Sequence, residues 1–102
     1  MSSNLNSNLN FKEMSKLYIA LCDEEIPCEV RELWDGLQIC YPNAKDCICD
    51  AICHSGSYGH EEGLLEIMGL VDEEKTGDSV EGHLTALEVF RRISNHWHSE
   101  EK

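Results

Sequence analysis

The stretch that most constrains the fold runs from Asp46 to Gly69, Asp-Cys-Ile-Cys-Asp-Ala-Ile-Cys-His-Ser-Gly-Ser-Tyr-Gly-His-Glu-Glu-Gly-Leu-Leu-Glu-Ile-Met-Gly. It holds half of the six cysteines, two of the five histidines and four of the seven glycines. Cys47 to His54 has strand length, with Ile48, Asp50, Ile52 and His54 on one face and Cys47, Cys49, Ala51 and Cys53 on the other. Both faces are largely apolar or small, the pattern of a central strand covered on both sides. Ser55 to Gly59 reads as a loop. Leu64, Leu65, Ile67 and Met68 then suggest a short helix with acids in its first turn, ended by Gly69.

The flanking segments supply partners for this strand. Met14, Leu17, Tyr18 and Leu21 form one helical stripe within Lys12 to Glu25, with Asn10 as N-cap and Glu13 completing a capping-box pattern. Asp23, Glu24 and Glu25 load negative charge onto the C-terminal end of that helix, against its dipole, and Pro27 forbids continuation. Ile26 to Leu33 alternates as a half-buried strand, Asp35-Gly36 marks a hairpin turn, and Leu37, Ile39 and Tyr41 alternate on the returning strand. Asp72 to Glu81 reads as an exposed acidic connection. Thr85-Ala-Leu-Glu88 is a capping box opening a last helix with the stripe Leu87, Phe90, Ile93 and Trp97.

The expected architecture is α+β: an antiparallel sheet of about three strands with N-terminal and C-terminal helices packed on it. Residues 1–10, in which Ser-Asn-Leu-Asn occurs twice, are expected to be a flexible tail; 11–98 form one domain and 99–102 a polar tail.

Charge excludes some functions. Twenty acidic against eight basic residues give a net charge of −12, unsuited to gripping phosphates directly. No run is long and apolar enough for a membrane span, and no signal-like stretch opens the chain, so the expected compartment is the cytoplasm. There the cysteines are expected to stay reduced, as apolar fillers of the core.

Two kinds of chemistry compete for the cysteines and histidines. Cys47, Cys49, Cys53 and His54, with His60 further on, contain zinc-ligand types but no C-x-x-C knuckle. On an extended strand they spread over about 20 Å, too far for one ion. Cys53, with His54, His60 or His83 as base, is the alternative nucleophile, and requires an activating cation or helix N-terminus. The Gly-Ser-Tyr-Gly-His loop lacks the pattern and the lysine of a phosphate-binding loop.

The segments Leu33-Trp-Asp-Gly-Leu-Gln-Ile39, Cys53-His-Ser-Gly-Ser-Tyr-Gly59 and Asp78-Ser-Val-Glu-Gly-His-Leu-Thr-Ala86 resemble small uncharacterised proteins of phages and prophages of Gram-positive bacteria. That resemblance implies an inhibitor of host defence, of the anti-CRISPR type; separately, no cofactor is expected. The expected function is therefore an acidic protein-binding inhibitor or modulator. Its partner would be a basic protein, such as a nucleic-acid-binding host-defence complex. The candidate contacts are Asp23, Glu24, Glu25, Asp72, Glu73 and Glu74, with Trp34 at the hairpin tip as an aromatic anchor. A small metal-binding or cysteine/histidine-dependent enzyme using Cys53, His54 and His60 is the alternative. The chain is expected to be a monomer, or a homodimer through the edge Ile26 to Leu33.

Overall fold

The computed structural model describes residues 2–77 and 79–100, and their side chains except those of residues 2–8, 75 and 76. The order of elements is α1 (Ser2–Asp23), β1 (Glu29–Leu33), β2 (Gly36–Tyr41), β3 (Cys49–Cys53), a 3-10 turn (His60–Glu62), β4 (Leu65–Met68), α2 (Glu73–Thr76), β5 (Val80–Leu84) and α3 (Ala86–Glu100). The five strands form one antiparallel meander in chain order, with β3 at its centre.

The α+β class stands, and the sheet has five strands rather than about three. Both missed strands replace other readings. Leu65–Met68, expected to be helical, is β4, because its backbone pairs with Asp50 to Ile52 of β3, burying Leu65 and Ile67 and leaving Met68 exposed. Val80–Leu84, whose first two residues fall in the expected connection, is β5.

One face of the sheet carries the core. Ile39, Tyr41, Cys49, Ala51, Cys53, Leu65, Ile67 and Leu84 are buried beneath Met14, Leu17 and Leu21 of α1 and Ala86, Val89 and Ile93 of α3. On the opposite face the cover is only partial: Asp50 and Ile52 of β3 are half-buried, and Ile48 just before the strand is 40% exposed. The helix stripes are rotated from those expected. Tyr18 and Leu87 are exposed, whereas Ala86 and Val89, outside the expected stripe, are buried.

Helix α1 starts at Ser2, ahead of the expected Lys12, and so takes in the segment expected to be a tail. Asn10 is consequently no N-cap. It lies buried within the helix, where its Nδ2 donates to the Asp35 carbonyl at 3.1 Å and its Oδ1 accepts from the Cys53 thiol at 3.9 Å. Glu13 likewise caps a different helix: its carboxylate accepts the Ala86 N–H at 2.7 Å, tying α1 to the start of α3. The capping box at Thr85 forms as read, with Thr85 N to Glu88 Oε1 at 2.9 Å and Glu88 N to Thr85 Oγ1 at 3.3 Å. At the other end α3 continues through Ser99 and Glu100, expected to be tail; residues 101–102 lie outside the described residues.

The hairpin turn is shifted by one residue. Leu33 pairs with Gly36, so Trp34-Asp35 makes the loop, and Trp34 takes a left-handed φ of 55°. Gly36 is required elsewhere, since a Cβ there would collide with the Cys53 carbonyl.

Candidate partner-binding surface

The acidic run at the end of α1 sits in a helix-termination motif. Ile26 N–H donates to the Leu21 carbonyl at 2.9 Å and Glu25 N–H to the Cys22 carbonyl at 3.0 Å, while Glu25 adopts φ 57°. These are the two reverse bonds and the left-handed residue of a Schellman cap, with buried Leu21 and Ile26 supplying its hydrophobic contact. Glycine is the residue that this position favours, because a left-handed conformation costs a side-chain-bearing residue about 1–2 kcal/mol. Here glutamate occupies it. Asp23, Glu24 and Glu25 are all exposed, and all stand where the helix dipole disfavours negative charge.

Asp72, the first of the second acidic run, is held by a separate anchor. Arg92 of α3 donates from both terminal nitrogens to the buried Glu81 carboxylate, at 2.6 and 2.9 Å, and from Nη1 to the Leu70 carbonyl at 3.3 Å. Glu81 Oε1 also accepts the Asp72 N–H at 3.0 Å. The guanidinium is held above its ordinary range chiefly by the hydrogen bond to Glu81. Asp72 to Glu74 are exposed, with Glu73 and Glu74 in the first turn of α2.

Strand register places the two acidic runs at one end of the sheet. Glu29, Cys40, Asp50 and Met68 form one row across β1 to β4. The first run leads into β1 at that row, and the second leaves β4 from it. Three strand spacings separate these points, about 14 Å. Trp34 lies at the opposite end. It is 80% exposed, with its ring edge-on to His54 at 4.7 Å between centroids. The register thus places the two carboxylate runs beyond one end of the sheet, leaving it from strands three spacings apart, and Trp34 at the other end.

Trp34 has a neighbour at its own end of the sheet that the sequence reading missed. Tyr58 is 65% exposed in the loop after β3, and its N–H is fixed by Glu66 Oε1 at 2.7 Å. An aromatic residue in the glycine-flanked Gly-Ser-Tyr-Gly segment was the available signal. His60 and His83 line a small cavity beside it with Glu62, and His83 Nε2 stands 3.9 Å from Glu62 Oε1.

Cys53, His54 and His60 do not converge. Cys53 is fully buried, and burial pushes its thiol up to about 11, unlike an activated nucleophile. His54 Nδ1 accepts the Gly56 N–H at 2.9 Å, and the His54 N–H donates to Ser57 Oγ at 3.0 Å, so its surroundings fix a turn. Among the described residues no group of three or more His, Cys, Asp or Glu is placed to hold a metal ion. The cysteines are free, yet not all are core fillers as expected: Cys40, Cys49 and Cys53 are buried, while Cys22 and Cys47 are exposed. Among the described residues, no helix is long and apolar enough to cross a membrane.

No family model, curated protein or solved structure matches this chain.

Proposed function

We propose that this chain is a small acidic binding protein that docks its carboxylates on a basic partner, one whose lysines and arginines otherwise hold nucleic-acid phosphates. The observation that carries the reading is Glu25. A glutamate in a left-handed cap position, at the negative end of a helix and beside two further acids, combines three locally unfavourable choices. Trp34, Leu70 and His83 share the left-handed conformation, but at Glu25 it coincides with a helix C-terminus and a run of exposed acids, and such stacked departures from local preference are the mark of a site kept for function. Asp72 to Glu74, at the same end of the sheet, extend the surface. The kinship with phage-encoded inhibitors of host defence belongs to the same proposal.

Affinity capture tests it. Immobilised wild-type protein should retain a basic protein from lysate and release it to added duplex DNA or RNA. The triple variant Asp23→Lys, Glu24→Lys, Glu25→Lys should retain at least about tenfold less, a loss of about 1.4 kcal/mol. Equal retention by a correctly folded triple variant would contradict the proposal.

A further inference from the structure

Strand β1 is the margin of the sheet, paired with β2 alone, and Glu29 to Glu32 are exposed along it. Its backbone polarity follows from the hairpin. A two-residue loop makes Leu33 and Gly36 a hydrogen-bonded pair. Alternation then turns the N–H and C=O of Leu33, Arg31 and Glu29 towards β2, and those of Val30 and Glu32 away from the sheet. Extended one step further, the same alternation puts Pro27, which has no N–H, in the inward set. The outward edge therefore has no missing donor.

The side chains add a second constraint. Val30 pairs with buried Ile39 and so faces the helix side, yet it remains 41% exposed. It lines a groove of about 440 Å³ between α1 and the sheet, together with Met14, Tyr18, Ile19, Leu37 and Ile39. Tyr18 and Ile19 are 44% and 58% exposed there. Glu29 and Arg31 lie on the other face, both exposed. Glu29 Oε1 accepts the Ala44 N–H at 3.0 Å.

We propose that this edge pairs with the same edge of a second copy, antiparallel, about a two-fold axis at Val30. In that register Val30 meets Val30 as a hydrogen-bonded pair, using the outward backbone groups, and the two apolar grooves adjoin. Glu29 then stands directly opposite Arg31 of the second copy, twice, by symmetry. Charge selects this register over its neighbour: an axis at Glu32 would set Glu32 against Glu32, and directly opposed like charges destabilise a strand pair. The dimer is a ten-stranded continuous sheet. An isologous two-fold contact of this kind closes, so assembly stops at two.

Sedimentation velocity over a concentration series from micromolar to high micromolar tests the pairing. Wild type should pass reversibly from monomer to dimer. Val30→Pro removes an outward donor while leaving the β1–β2 bonds in place, and should weaken the dimer at least about tenfold. Arg31→Glu should weaken it similarly, and Glu29→Arg with Arg31→Glu should restore it, because the swapped pair is again opposite in charge. Circular dichroism and thermal melts of each variant establish that it is folded. A wild type that stays monomeric, a dimer indifferent to Val30→Pro and Arg31→Glu, or a charge swap that fails to restore pairing would each overturn the proposal.

Discussion

Replacing Glu25 by glycine should make the protein more stable and a poorer binder. The left-handed φ of 57° costs a side-chain-bearing residue about 1–2 kcal/mol, which glycine does not incur. Removing one negative charge from the helix C-terminus contributes about 0.3–1 kcal/mol more. Against these stands the greater backbone entropy that glycine loses on folding, about 0.5–1 kcal/mol. The net gain is about 1 kcal/mol, which in a domain of this size raises Tm by about 4–8 °C. Urea denaturation of both proteins, with equal m-values, measures it directly. The same variant should bind the captured partner more weakly. Destabilisation by Glu25→Gly would refute the claim that Glu25 is strained, and stabilisation with unchanged binding would refute the claim that the strain serves a site.

Three further outcomes follow from the packing. Arg92→Ala leaves the Glu81 carboxylate buried without its guanidinium; since Arg92 is itself 24% exposed, the loss should lie near the lower end for a broken buried pair, about 3 kcal/mol, read as a Tm fall of about 12–24 °C. For Glu13, burial pushes the carboxyl up, but the Ala86 N–H and Lys16 outweigh it and hold it below its ordinary 4.5. Its contribution is thus present above the unfolded pKa and lost as pH falls through the lowered folded value, so Glu13→Gln should flatten the decline in stability below about pH 4.5. Thiol titration of native protein should modify exposed Cys22 and Cys47 first, whereas Cys49 and Cys53, pushed by burial to about 12 and 11, should react only on unfolding.

Local chemistry was legible wherever one signal acted alone. The Thr85–Glu88 capping box, the alternation of Leu37 to Tyr41 and the centrality of the cysteine-bearing strand are all present in the structure. The misreadings arose where a residue answers to a distant partner. Asn10 and Glu13 have the spacing of a helix start, but their side chains are taken by Asp35, Cys53 and Ala86, up to 73 positions away. Leu65 to Met68 is too short for periodicity to separate strand from helix, and pairing with β3 decides it. Gly36 stands at the start of β2 rather than in the turn, where the close approach of the Cys53 carbonyl leaves no room for a side chain. The acidic runs were visible as charge. That Glu25 is strained, and that both runs leave the sheet at the same row, are three-dimensional facts with no local trace in the sequence.

The central claim is that the acidic end of the sheet is a binding surface rather than a solubilising one. Association rates of the captured partner with wild type and with the Asp23→Lys, Glu24→Lys, Glu25→Lys variant, measured from low to high salt, test it most directly. Exposed charges act over about 10 Å at 0.1 M salt, so the wild-type rate should fall steeply as salt rises. The variant should associate more slowly and with a much shallower salt dependence. Equal rates and equal salt slopes for the two proteins would contradict the account.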